Sequence, residues 1–297
     1  MISVPASSAN IGPGFDSAGI ALSKYLKLHV MEQDHLWEFQ HKSSILSPAP
    51  VATEHFIYKV AKKVADWHER TLPPCKVIEE SDIPLARGLG SSASAIIAGI
   101  EIANQLLELE LSTDTKLHYA VEIEGHPDNV APCLLGGFVL TVMLGNQVKY
   151  KKLPAIDTDL VIYIPDYEVK TEEARKVLPA SFSIKEATRA SGISNLMIAA
   201  LMTGDYELAG KMMEKDLFHE KYRSKLITDY DKIKEDAKRL GAYGTVISGS
   251  GPTMISFAPK GKGQTIAQQI KENHPDLEIN ALDLDHIGLQ VNHLDNQ

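Results

Sequence analysis

One run of residues, PLARGLGSSAS at positions 84–94, sets the strongest condition on what this chain can fold into. It leads without a break into AIIAGIEIANQLL, whose apolar residues repeat at helical spacing. Gly88 and Gly90 carry no Cβ, so the backbone there can take positive φ and approach a bound group closely. Ser91, Ser92 and Ser94 stand where the helix begins, and serine is favoured at that boundary. The leading amides of a helix lack internal acceptors and carry partial positive charge. A glycine loop opening onto such an end is built to hold an anion, phosphate above all, with Arg87 as a further cation. The same residues would also serve as a plain capped helix after a tight turn. They fit Gly-x-Gly-x-x-Ala (Gly88, Gly90, Ala93), the dinucleotide fingerprint. Against that reading, Pro84 and Arg87 interrupt the approach from the preceding strand, and no second strand ending in an acidic residue follows about 20 positions on. No Gly-Lys-Ser/Thr follows, which excludes a Walker A loop.

The rest of the chain mixes strand and helix patterns without strict alternation. YLKLHVME alternates as a strand should, with LWEFQH as its expected hairpin partner. Residues 54–68 place Phe56, Val60, Val64 and Trp67 on one helical face. CKVIEES reads as a strand before the glycine loop. The helix after it, about Ser91 to Leu107, has Ala93, Ile96, Ile97, Ile100, Ala103 and Leu107 as its apolar stripe. TKLHYAVEIEG gives a further helix, and LLGGFVLTVML a strand broken by Gly136-Gly137. DLVIYIP at 159–165 looks like the opening of a second unit. Helical patterns follow near 172–178, 185–202, 206–215 and 222–240, then two strands around a glycine-rich turn, a helix near 264–273 and a last strand, EINALDLD. The pattern predicts an α+β protein of two domains, 1–154 and 155–297.

Composition narrows the function. The 297 residues carry a net charge of −9, with 30 Lys and Arg against 39 Asp and Glu. Nucleic acid or an anionic membrane surface would call for clustered cations, so neither is expected as a partner. The opening MISVPASSANIGPGFD has no basic segment and no long apolar run, so no secretory leader is expected. Two cysteines, Cys75 and Cys133, point to a reducing compartment and a cytoplasmic protein. The eleven histidines are scattered, and none pairs with a cysteine at metal-ligand spacing.

Four stretches in order along the chain carry a resemblance. PLARGLGSSAS is similar to the phosphate loop of the superfamily of galactokinase, homoserine kinase, mevalonate kinase and phosphomevalonate kinase (the GHMP kinases). VPASSANIGPGFDSAGIAL at 4–22, EGHPDNVAPCLLGG at 124–137 and GTVISGSGPTMISF at 244–257 resemble motifs of its homoserine kinase branch and of the superfamily at large. The resemblance implies a mixed-sheet N-terminal ATP-binding domain, a ferredoxin-like α/β-sandwich C-terminal domain, and transfer of phosphate from ATP to the side-chain hydroxyl of L-homoserine, as in threonine biosynthesis. It implies that Pro84, Leu85, Ala86, Arg87, Gly88, Leu89, Gly90, Ser91, Ser92, Ala93 and Ser94 form the nucleotide loop, and that SGSGP at 248–252 packs against it. Glu124 with Ser92 would hold Mg²⁺. Asn10, Asp16, Asn129, Thr171, Arg175 and Arg223 would contact substrate, with Asp16 facing an ammonium and the two arginines a carboxylate. Read without the resemblance, Asn10 is also a turn former, Thr171 a helix cap and each arginine a solvated helix residue.

Glu122 competes with Glu124, and helix phase favours the latter: Leu117, Val121 and Glu124 share a face, with Glu122 roughly opposite. Asp128 could take the hydroxyl proton, although phosphoryl transfer relies mainly on positioning and charge neutralisation. The alternatives are another small-alcohol kinase of the superfamily, of mevalonate or shikimate type, or an inactive binding protein on the same fold. Oligomeric state is left open, with a homodimer as one option.

Overall fold

The computed structural model describes residues 1–32 and 35–292. Its first strand, β1 (Ile2–Ala9), is buried along its whole length. Its residues are small or apolar enough to lie under helices, and the buried Ser7 and Ser8 hydroxyls are bonded to Asn129 and Ser248. β2 (Ala18–Glu32) pairs with β1 on one side and β4 (Cys75–Ser81) on the other, both antiparallel. With both edges of β2 occupied, the expected hairpin to residues 36–41 cannot form. The short strand there, β3 (Glu38–His41), instead lies parallel to β4 at the sheet edge.

Helix α1 (Phe56–Trp67) buries Ile57, Val60, Ala61, Val64 and Ala65, a face turned from the expected one. Phe56 is 46% exposed and Trp67 38%. Small residues decide this. A Cβ on Gly99 of α2 (Ser91–Leu106) would lie 2.7 Å from the Val60 Cβ, so the two helices touch backbone to side chain. The α2 stripe is buried as expected, and the helix is enclosed almost all round, with Glu101 and Asn104 inside as well. Glu101 is satisfied by Lys116 at 2.6 Å and by Asn104 and Gln105. Burial of each α2 isoleucine contributes about 1.5–3 kcal/mol.

α3 (Thr113–Glu124), α4 (Pro127–Leu135), β5 (Phe138–Leu144) and β6 (Gln147–Lys152) complete the first half. β5 joins the sheet through the start of β2. β7 (Thr158–Ile164) then opens a second sheet, with α5 (Thr171–Lys176), α6 (Ile184–Thr203), α7 (Tyr206–Met213), α8 (Glu220–Arg223), α9 (Tyr230–Arg239), β8 (Gly244–Ile247), β9 (Met254–Pro259), α10 (Gly263–Asn273), β10 (Glu278–Leu282) and β11 (Gln290–Val291) following. The second sheet runs β10-β7-β9-β8 and is antiparallel throughout. The expected single helix over 222–240 is two, broken where Asp229 takes φ 56°. β11 returns to pair with β1, so the C-terminal segment stitches the two sheets together. The α+β expectation with one mixed and one antiparallel sheet holds. No helix among the described residues is long and apolar enough to cross a membrane.

Candidate active site

The glycine loop and the start of α2 form one wall of a cleft of about 510 Å³. Gly90 precedes α2 with φ 68°, and no side chain caps the first turn, so the leading amides lack an internal acceptor. Both glycines are required by close approach. A Cβ at Gly90 would fall 2.0 Å from the Ser7 hydroxyl, and one at Gly88 2.3 Å from the Ser248 carbonyl. The Ser248–Pro252 turn packs on the loop, with Ser248 Oγ donating to the Gly88 carbonyl at 2.6 Å and the Thr253 amide to the Arg87 carbonyl.

The loop residues divide. Ala86, Gly88, Gly90, Ser91 and Ser92 line the cleft. Leu89, Ala93 and Ser94 are buried in the core beneath, and Pro84 and Leu85 lie outside the lining. Arg87 does not supply the expected cation. Its guanidinium turns away to the carbonyls of Pro165 (3.1 Å) and Asp166 (2.7 Å) and to Glu168 (3.2 Å), clamping the loop to the segment after β7.

The opposite wall comes from the β1–β2 turn and from α5 and α8. Asn10 lines the cleft, but its amide is largely taken up by the backbone, accepting from the Asp16 amide (3.0 Å) and donating to the Gly249 carbonyl (2.8 Å). That bracing holds Asn10, Ile11 and Asp16 at positive φ. Asp16 and Arg175 form a two-point pair at 3.0 and 3.2 Å. Arg223 is 2% exposed, and donates to the carbonyls of Ala174 (3.1 Å) and Gly249 (3.0 Å). Both guanidiniums lie over the Phe15 ring, which His219 backs at 5.3 Å. Burial and the nearby Arg175 push the Arg223 pKa down to about 10, while Asp16, Asp128 and Glu220 pull it part of the way back. Glu220, one turn before Arg223, anchors α8 by accepting from the Ile247 amide at 2.6 Å and from the Tyr230 hydroxyl. Thr171 is the first residue of α5 and faces the cleft beside Lys170 and Glu172.

The floor is the junction of α3 and α4. Gly125 ends α3 in the left-handed conformation, and Pro127 starts α4 one residue after extended His126. Glu124 enters the cleft and accepts from Ser92 Oγ at 3.0 Å, whereas Glu122 is exposed on the far side, as helix phase required. Burial pushes the Glu124 carboxyl above its ordinary range, and His126 and the Ser92 hydroxyl pull it part of the way back. Asp128 is 2% exposed and bonded to His126 Nδ1 at 3.1 Å, which holds the imidazole above its usual pKa. Asn129 Oδ1 accepts from Ser7 Oγ at 2.9 Å, leaving its NH₂ for a ligand.

Residues 55–137 match the GHMP kinases N terminal domain and residues 197–276 the GHMP kinases C terminal domain. The chain belongs to the GHMP kinase family. Among its relatives in that family, a homoserine kinase of Bacillus pumilus is 49% identical over 98% of this chain and 94% of its own. A Listeria monocytogenes structure provisionally named as a homoserine kinase superposes with a TM-score of 0.86 at 38% identity, covering 99% of both chains. The homoserine kinase of Cytophaga hutchinsonii gives 0.82 at 28% identity, covering 97% of this chain and 96% of that one.

For this GHMP kinase, sequence reasoning missed His126, Phe15, Lys170 and Glu172, whereas Ser250 falls in the SGSGP turn it had singled out. His126 was legible as a titratable residue two positions from both Glu124 and Asp128. Phe15 had no such signal, since its role depends on two arginines more than 150 residues away.

Proposed function

We propose that this kinase transfers the γ-phosphoryl group of ATP to the side-chain hydroxyl of L-homoserine. The observation that carries the reading is the placement, across one cleft, of an uncapped helix N-terminus against a carboxylate and two guanidiniums, Asp16, Arg175 and Arg223. A polyanion suits the first wall, and a small zwitterion suits the second, its ammonium on Asp16 and its carboxylate on the arginines.

The phosphates would lie along the Gly88–Ser92 backbone, where glycine lets the chain approach them. Glu124 and Ser92 would hold Mg²⁺. They present two oxygens already in contact, and the half-buried carboxylate accepts from the Ser92 hydroxyl with His126 nearby. Such a hard oxygen set suits this ion, which takes its remaining ligands from phosphate and water. When bound, the ion would neutralise charge growing on the phosphoryl oxygens. Asn129, fixed by Ser7, would donate to the acceptor oxygen, and Arg223 would add charge that its carbonyl partners only partly offset. Asp128 is taken up by His126 and stands as the candidate base. We place the enzyme in the cytoplasm, in keeping with two buried free thiols, and leave a homodimer as a proposal.

An ADP-release assay over homoserine, serine, threonine, mevalonate and shikimate tests the reading. Homoserine is expected to give the highest kcat/KM by a wide margin. Equal turnover of mevalonate, or none of homoserine at millimolar concentration, would remove it.

A further inference from the structure

We propose that His41, His55 and Glu79 form a second, non-catalytic cation site that takes a divalent transition metal of the zinc class. The three come from separate elements. His41 ends β3, Glu79 is its register partner in β4, and His55 precedes the first turn of α1. Among the described residues they form the one group of three potential ligands whose donor atoms converge, and none of them lines the catalytic cleft.

The geometry is that of a coordination face. His41 Nε2 lies 2.9 Å from His55 Nε2, and Glu79 Oε2 lies 3.4 and 3.2 Å from these nitrogens. Ligands bound to zinc at about 2.0–2.1 Å in tetrahedral array stand about 3.3 Å apart. The observed triangle has a circumradius of about 1.8 Å, so such an ion would sit about 0.9 Å off its plane and keep a fourth position open to water.

Proton placement favours the same conclusion. His41 Nδ1 is 2.6 Å from the Ser47 carbonyl, which fixes the proton on Nδ1 and turns the Nε2 lone pair to the centre. Glu79 Oε2 is buried without a hydrogen-bond donor, and Glu79 is 7% exposed. A single proton on His55 Nε2 can serve only one of its two neighbours, leaving the other pair of acceptors face to face. A divalent cation satisfies all three facing atoms and leaves the buried His55 Nδ1 as the one ring nitrogen of the pair without a partner. The His55 ring is held in place by Phe39, stacked at 3.8 Å and 6°, which also walls off one side.

Two imidazoles with one carboxylate select a borderline metal over Mg²⁺ or Ca²⁺, which prefer oxygen alone. The magnesium of the reaction would therefore not compete here. Binding would tie edge strand β3 and the segment after it to β4 and α1, and stiffen the sheet margin.

The test is titration of the full-length enzyme with Zn²⁺, and with Co²⁺ to read visible d–d bands, beside His41→Gln and Glu79→Gln. Wild type is expected to bind one equivalent with the bands of a four-coordinate site and a raised Tm. Each variant is expected to lose at least about 10–100-fold in affinity, together with the Tm gain. Because neither residue touches the cleft, both variants should turn over Mg-ATP and homoserine normally, which also shows that they fold. A zinc-edge anomalous peak within bonding distance of the three atoms would corroborate the site. Absence of one-equivalent binding by wild type, or binding unchanged in both variants, would overturn the proposal. Unchanged binding would place the metal elsewhere, for example on Glu124, His126 and Asp128.

Discussion

Asp16→Asn gives the sharpest test of the substrate wall. The change keeps the shape of the side chain and removes its charge. In the structure Asp16 holds Arg175 at 3.0 and 3.2 Å, and both side chains are 39% exposed. An exposed pair of this kind contributes about 0–1 kcal/mol, so little stability should be lost. A hydrogen bond to a charged group is worth about 1.5–3 kcal/mol, and each 1.4 kcal/mol is about tenfold in affinity. Loss of the ammonium partner should therefore raise the homoserine KM about 10–100-fold, with a much smaller effect on ATP. The comparison that isolates charge is 4-hydroxybutyrate, which is homoserine without its amino group. It cannot use Asp16, and in the variant it meets an Arg175 freed from its internal partner, so its kcat/KM should hold or rise. The ratio of homoserine to 4-hydroxybutyrate kcat/KM, from steady-state ADP release, is thus expected to fall about 10–100-fold. An unchanged ratio would refute the assignment of Asp16 to the ammonium, whatever happens to either KM alone.

Four further outcomes follow from the same geometry. Gly90→Ala places a Cβ against Ser7 Oγ at positive φ, which costs about 1–2 kcal/mol before any clash is relieved; the ATP KM should rise at least about tenfold as Ser7 and Asn129 shift, with Tm a few degrees lower, and wild-type kinetics would contradict the close-approach argument. For Glu124, burial raises the folded pKa above the unfolded one, so ionising it costs folding stability as pH rises through that interval. Glu124→Gln should then show a higher Tm at pH 8 without Mg²⁺, yet turn over about a hundredfold slower or worse. In wild type, the acid limb of activity should lie above the ordinary carboxylate range and move to lower pH as Mg²⁺ is raised; a limb indifferent to Mg²⁺ would detach Glu124 from the metal. Arg87→Ala should lower Tm through loss of its bonds to Pro165 and Asp166, about 1–3 kcal/mol, while changing the ATP KM less than about threefold; the reverse pattern would restore Arg87 to the phosphate site.

Local signals carried much of this site into the sequence. The glycine loop, the phase of Glu124 against Glu122 and the burial of α2 all depend on spacing within one element, and all were legible. Arg87 was misjudged because proximity to a phosphate loop says nothing about which way a long side chain turns, and two free carbonyls after β7 drew it off. The pairing of β3 escapes the sequence because both edges of β2 are taken by strands remote from LWEFQH in the chain, β1 (Ile2–Ala9) and β4 (Cys75–Ser81), and sequence neighbours are only a default. Asn10 reads as a substrate contact by resemblance, yet its amide chiefly braces the turn that presents Asp16. The His41, His55 and Glu79 group was invisible for the same reason as Phe15, since parallel pairing of β3 with β4 is what assembles it.

In the proposed complex, one cleft seats a triphosphate on the α2 amides and a zwitterion on Asp16, Arg175 and Arg223. A crystal structure with a nonhydrolysable ATP analogue and homoserine tests it most directly. Phosphate oxygens are expected about 2.7–3.2 Å from the amides of the Gly90–Ser92 turn, with the acceptor hydroxyl facing the γ-phosphorus and the homoserine carboxylate on the arginines. A nucleotide bound away from Gly90, or homoserine turned so that its ammonium meets Arg175, would contradict it.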